Sequence, residues 1–397
     1  MLSASVFKDE TKLDINYTPA KLQHRSYELN LLNQYFRHAI ETPGKMTQRV
    51  IVTGKIGTGK TVVAQHFGRT ITREAQQRNI NLHYIHVNCR QNKGSFFLIL
   101  QQLVTRFHPT FPKRGYSAEE LMQTLLQILD NQNIYLIIAL DELESLIQNE
   151  GSEPLYKITR VEETRAKALG RLSLLCILRQ LSWLNKLDAS TRSTLQSNII
   201  ELGAYTKAQL QDILSNRVTL AFKQGTVPTE TITLAAELGE EEGGNARYGI
   251  ELLWRAGKYA DTEGIKEVSP EYVRKAVGNV YAGIRRDEIA ALIFHKKLFL
   301  LGIARRFQQT GGIHLSMGEA EEAYTIACEE FDEKPRGHTQ LWKYMQELSN
   351  FGVIKAELST SGQRGKTTLI GLPRIAAADL EKVLNKTLER ARRGHAL

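Results

Sequence analysis

The stretch Gly54-Lys-Ile-Gly-Thr-Gly-Lys60-Thr61 constrains this chain more than any other. It matches the G-x-x-x-x-G-K-[ST] phosphate loop, and its flanks are those such a loop needs. The apolar run Arg49-Val-Ile-Val-Thr53 enters it as a strand, and Val62-Val-Ala-Gln-His-Phe67 leaves it as a helix. Glycines at 54, 57 and 59 let backbone N–H groups turn inward around phosphate oxygens, and the helix N-terminus adds partial positive charge. Thr58 and Val62 complete a segment shaped for ATP or ADP. Lys60 would reach the β- and γ-phosphates, and the Thr61 hydroxyl would ligate Mg2+. A loop of this kind between strand and helix implies a parallel sheet covered by helices on both faces.

The surrounding sequence has that pattern. Strands are expected at 49–53, 82–87, 134–140, 173–178 and 198–202, four of them nearly continuous apolar runs, as strands buried on both faces should be. Helices at 96–106 and 118–130 alternate with them. The run Ile134–Leu140 ends in Asp141-Glu142. Two acids at the end of a buried strand place Asp141 near Mg2+ and Glu142 where it can act as general base on the attacking water. The plainer reading is an acidic helix start.

Beyond residue 203 the composition shifts. Four helical stretches, 207–222, 229–240, 245–263 and 269–280, are punctuated by Gly225, Pro228, Gly243-Gly244 and Pro270. From about 285, helices at 287–309, 316–331 and 336–350 precede two short alternating runs, 353–358 and 367–372. Three helices and a hairpin with a polar, basic tip suggest a winged helix. The expected domains are therefore 1–203, an α/β nucleotide-binding base; 204–284, a helical lid; and 285–397, a winged helix.

Composition narrows the classes. The longest apolar run, 134–140, is far short of the roughly 20 residues a bilayer-crossing helix needs, so no membrane partner is expected. The N-terminus shows no apolar stretch after a basic start, so a secretory signal is not expected. Cys89, Cys176 and Cys328 are odd in number and widely spaced, which fits a reducing compartment. The net charge is +9. From residue 359 onward, eight Lys and Arg stand against three acids, so a net +5 lies on the hairpin tip and the tail.

The order of phosphate loop, Asp-Glu strand, helical lid and winged helix resembles an AAA+ ATPase of the archaeal origin-recognition and cell-division-control initiator family. Tyr17-Thr-Pro-Ala-Lys-Leu-Gln-His-Arg25, Val87-Asn-Cys-Arg90, Phe111-Pro-Lys-Arg-Gly115, Leu140–Leu146 and Tyr156-Lys-Ile-Thr-Arg160 are similar to signatures of that family. The resemblance implies further contacts. Arg247 in Gly244-Asn-Ala-Arg247 would reach the γ-phosphate from the lid, and Tyr205 and Arg217 would lie near the base and ribose. It also implies an initiator that recognises double-stranded origin DNA, works with other initiator subunits and a replicative helicase, and acts in the cytoplasm at the nucleoid.

In a helix-turn-helix the second helix meets base edges. Here it runs through 336–350, with Leu341, Tyr344, Met345 and Leu348 as core. Arg336, His338, Thr339, Gln340 and Lys343 fall largely on the other side. Gln363, Arg364 and Lys366 at the wing tip would follow the phosphates or enter the minor groove.

Two places depart from the family. After its fourth strand the family carries Ser-Asn-Asp, the Asn orienting water. Here Arg179 or Gln180 stands in that position. Downstream, Ser190 replaces the Arg of an Asp-Pro-Arg segment, with Arg192 two residues later. The expectation is nucleotide binding with slow hydrolysis of ATP to ADP and phosphate, serving as a switch. Two alternatives stay open: a nucleotide-locked regulatory paralogue that binds DNA without loading helicase, and a related signalling ATPase whose winged helix binds protein.

Overall fold

The computed structural model describes residues 5–112, 114–161, 170–196, 198–281, 289, 292–350, 353–358, 368–372 and 375–394. The chain divides into two compact units.

The first unit comprises residues 18–205 with 243–245. Its sheet is parallel, in the order β2-β3-β4-β1-β5, built from β1 (Arg49–Thr53), β2 (Leu82–Asn88), β3 (Tyr135–Asp141), β4 (Leu172–Leu178) and β5 (Ile199–Glu201). Central β4 is buried along its whole length, whereas edge β5 buries only its middle residue. This is why the inner strands read as apolar runs. The helices are α1 (Ser26–Phe36), α2 (His38–Glu41), α3 (Lys60–Gln77), α4 (Phe96–Phe107), α5 (Ala118–Asn131), α6 (Glu144–Glu150), α7 (Glu153–Thr159) and α8 (Ala189–Leu195). Side chains alternate across the strands. Leu174 and Cys176 pack with Ile99 and Leu103 of α4 and Leu125 of α5, while Leu175 and Ile177 pack on Phe36 of α1 and Phe67 of α3. Helix α3 lies so close to β2 that a Cβ on Gly68 would fall 2.2 Å from the Tyr84 ring.

The second unit holds 5–17, 206–242 and residues from 246 onward. Residues 5–17 thus pack with the helices after the sheet: Phe7 lies 4.8 Å from Phe222, ring to ring, and the Lys8 and Asp9 N–H groups donate to the Ala221 carbonyl. Helices α9 (Lys207–Ala221), α10 (Thr229–Glu241), α11 (Ala246–Glu263) and α12 (Pro270–Tyr281) precede α13 (Phe294–Thr310), α14 (Met317–Glu330), α15 (His338–Asn350) and α16 (Ala377–Gly394). A three-stranded antiparallel sheet, β6 (His314–Ser316), β7 (Lys355–Leu358) and β8 (Thr368–Gly371), has the order β6-β8-β7. Capping boxes at Thr206/Gln209 and Ser316/Glu319 start α9 and α14.

Two expectations need correcting. Of the helix expected at 287–309, Ile289 and Phe294–Thr310 are helical and Ile293 between them is extended, with φ −63° and ψ 154°, so the stretch is interrupted there; residues 287, 288, 290 and 291 lie outside the described residues. Strand β6 is only three residues long, too short for its alternation to register in the sequence. Among the described residues no helix is long and apolar enough to cross a membrane.

Candidate functional site

The phosphate loop links the C-terminal end of β1 to the start of α3, where parallel sheets gather ligands. Gly57 has φ +80°, and a Cβ there would fall 1.8 Å from the Asn245 side-chain oxygen. That position admits only glycine. Thr58 is fully buried, and its hydroxyl donates to the Lys55 carbonyl. Lys60 Nζ donates to the carbonyls of Gly54, at 2.6 Å, and Lys55, at 2.8 Å, so the ammonium sits over the loop it would share with phosphates.

Asp141 ends β3 and meets the start of α3. Its Oδ2 accepts from the Thr61 hydroxyl at 2.7 Å and lies 3.1 Å from His86 Nε2 on β2. Burial pushes the Asp141 carboxyl up, but the bonds from His86 and Thr61 outweigh it, and the group is held below the usual carboxylate range. It is therefore ionised at neutral pH. One hydroxyl and one carboxylate make a hard oxygen donor set, which fits Mg2+ completed by phosphate oxygens and water.

Glu142 has φ +51°, a left-handed conformation uncommon for a residue with a Cβ. Its N–H donates to Asp141 Oδ1, and the next N–H, of Leu143, donates to the Ile177 carbonyl, fastening the turn to β4. At the end of β4, Arg179 Nη2 donates to Glu142 Oε1 at 2.8 Å, and Arg179 Nε lies 3.1 Å from Glu144 Oε1. The Glu144 contact is an ion pair without hydrogen-bond alignment, since both Glu144 oxygens are buried with no hydrogen-bond partner. Burial pushes the Glu144 carboxyl up. Gln180 faces outward, with its Oε1 accepting from Ser182 at 3.4 Å. Of the two residues left open at this position, Arg179 is the one that faces the acids.

Arg25 braces the loop from behind. It is 6% exposed. It donates to Glu28 Oε1, the Thr58 and Gly203 carbonyls and the Tyr205 hydroxyl, and lies 4.0 Å above the Tyr205 ring. The Tyr205 hydroxyl would sit 3.1 Å from a Cβ on Gly59. Gly244 packs on the Tyr205 backbone, so Asn245 is the residue of the Gly244–Arg247 segment that stands at the loop.

Arg217 and Arg247 belong to the other unit. Arg217 is buried under Tyr17 and donates to the Lys12 and Tyr17 carbonyls. Arg247 is exposed at the start of α11.

In the three-helix and sheet part of that unit, Leu341, Tyr344, Met345 and Leu348 of α15 are buried. Arg336, His338, Thr339 and Lys343 are exposed and Gln340 is half-buried. His338 pairs with Glu321 of α14. Gln363, Arg364 and Lys366 lie outside the described residues. Trp342, 44% exposed, shares the outward face of α15, a position that a sequence reading passes over because tryptophan reads as apolar.

A family model described as an AAA domain matches residues 46–177, one for the Cdc6 AAA+ ATPase-type lid domain matches 211–278, and one for the Cdc6 C-terminal winged helix domain matches 287–382. The chain is 33% identical over 392 residues to ORC1-type DNA replication protein 2 of Sulfurisphaera tokodaii, spanning 97% of this chain and 94% of the relative. It belongs to the ORC1-type DNA replication protein family. The fold of this ORC1-type chain is similar to that of Cdc6p from Pyrobaculum aerophilum, with a TM-score of 0.83 and 28% identity over 98% of this chain and 100% of the other. It is also similar to the Aeropyrum pernix ORC1 protein solved in complex with DNA, with a TM-score of 0.64 and 27% identity over the same shares.

Proposed function

We propose that this ORC1-type chain is a nucleotide-controlled replication initiator with a base (1–203), a lid (204–284) and a winged helix (285–397). The base binds ATP or ADP through Gly54, Gly57, Thr58, Gly59, Lys60, Thr61 and Val62, with Mg2+ at Thr61 and Asp141. The observation that carries this is the 2.7 Å bond between Thr61 and Asp141, which brings the helix after the phosphate loop and the end of the acidic strand to one point. Bound Mg2+ would neutralise phosphate charge there. Tyr205, Arg217 and Arg247 are assigned to nucleotide contacts on the family resemblance.

The winged helix binds double-stranded origin DNA through Arg336, His338, Thr339, Gln340 and Lys343 of the α15 segment and through Gln363, Arg364 and Lys366 of the wing. The exposure of Arg336, His338, Thr339 and Lys343 supports the reading, as does the relative solved with DNA. Recruitment of a replicative helicase alongside other initiator subunits, in the cytoplasm at the nucleoid, completes the proposal. Hydrolysis is slow and resets the switch. A second reading, a nucleotide-locked regulator that binds DNA without loading helicase, draws support from Arg179 pairing with Glu142.

The test is footprinting of genomic DNA with wild type, Lys60→Ala and Arg364→Ala. Protection of discrete sites by wild type, reduced in Arg364→Ala and no longer responsive to ATP in Lys60→Ala, is the expected result. Salt-independent binding or no protection at all would overturn the DNA-binding assignment.

A further inference from the structure

We propose that Arg179 is a positioning residue that latches Glu142 away from the water it would activate, so that the site retains ATP uncleaved until the latch opens. The inference rests on the nucleotide reading and adds the device that sets its rate.

The geometry is specific. A general base needs a free carboxylate oxygen within hydrogen-bond reach of the attacking water. In hydrolysis the water oxygen bonds to the γ-phosphorus and the bond to the bridging oxygen breaks. The electron pair leaves with ADP, and Glu142 takes the water's proton. Here Glu142 Oε1 already accepts a charge-assisted bond from Arg179 at 2.8 Å. Such a bond ties that oxygen to the guanidinium and fixes where the carboxylate points. The backbone on either side is fastened, so release of the acid falls to its side chain and to Arg179. Glu142 sits at φ +51° with its N–H on Asp141, and the Leu143 N–H is fixed to Ile177, two residues before Arg179.

Glu144 makes the latch a two-post one. Its side chain is 11% exposed, and its Oε1 lies 3.1 Å from Arg179 Nε, so the guanidinium spans both acids. If the Glu142 contact breaks, Glu144 keeps Arg179 beside the site, and the latch can close again. Gln180 is turned outward and leaves this position to Arg179.

The experiment uses the full chain as wild type, Arg179→Asn, Arg179→Lys, Glu142→Gln and the Arg179→Asn/Glu142→Gln pair. Affinity for a fluorescent ATP and ADP is read separately from single-turnover ATP cleavage, and thermal melting confirms folding. Wild type should bind both nucleotides and cleave as slowly as Glu142→Gln. Arg179→Asn should cleave faster by about tenfold or more, with affinities changed by less than about twofold. The pair should return to the slow rate, and Arg179→Lys, which keeps a cation beside Glu142, should stay slow. Bound ATP with an unchanged rate in Arg179→Asn overturns the latch alone. So does acceleration that survives Glu142→Gln. Loss of ATP but not ADP affinity in Arg179→Asn also overturns it, making Arg179 a reader of the γ-phosphate. Failure of wild type to bind nucleotide overturns the nucleotide reading and the latch with it.

Discussion

At Arg25 one guanidinium serves four acceptors, the Glu28 carboxylate, two backbone carbonyls and a phenol, and each of them is left short when it is removed. Arg25→Ala would leave Glu28 buried without its cation, at a cost of about 3–5 kcal/mol, and free the Thr58 carbonyl inside the phosphate loop. The expected outcome is a lower urea midpoint together with weaker nucleotide binding. Arg25→Lys should recover only part of both, because an ammonium cannot copy the fork. Lys60, Thr61, Asp141 and Glu142 were legible because a short motif or the end of one apolar run fixes each of them. The partners that set their geometry were not. His86, Arg25 and Asn245 arrive from separate segments, and only the folded chain puts His86 on Asp141 and Asn245 on Gly57.

Element placement followed burial. The inner strands could be read because both faces are covered, which removes polar interruptions, and the edge strand β5 has a single buried residue to announce it. The pairing of β6 with β8 depends on contacts far along the chain and left little local trace. Where α3 crosses β2, Gly68 carries the approach. Gly68→Ala improves helix propensity by about 1 kcal/mol, yet its methyl group would collide with the Tyr84 ring at 2.2 Å. Overpacking of this kind costs about 1–3 kcal/mol, so net destabilisation in urea unfolding is expected. Restored stability in Gly68→Ala/Tyr84→Leu would confirm the ring as the cause.

Over the whole molecule, compactness follows spatial packing more than sequence order, which is why residues 5–17 join helices that begin some two hundred residues later. Composition held no sign of this. Within that unit, Glu237 of α10 lies 2.6 Å from Lys207 of α9 and 3.5 Å from His314 of β6. Burial raises its carboxyl, but the bonds to His314 and Lys207 prevail and bring it from an ordinary 4.5 down to about 2. The unfolded chain therefore takes up this proton first as pH falls. The stabilisation is complete above about pH 5 and is lost progressively toward pH 2. A drop from 4.5 to about 2 corresponds to about 3 kcal/mol at full strength, which screening by solvent at this partly open site brings to about 2 kcal/mol. Urea midpoints of wild type and Glu237→Gln should differ at pH 6, draw closer by pH 3 and converge only near pH 2.

Arg274 of α12 is 1% exposed and donates to the Leu372 carbonyl after β8 and the Gly312 carbonyl before β6, both at 2.9 Å. Arg274→Met should cost about 2–4 kcal/mol, because two carbonyls and Glu271 lose a buried partner. One side chain thus fastens α12 to the end of the small sheet where β6 begins and β8 finishes. A hinge in which α12 and the small sheet turn separately would have to break that grip. With the grip intact, a rotation given to α12 is passed to the strands it holds, β6 and β8.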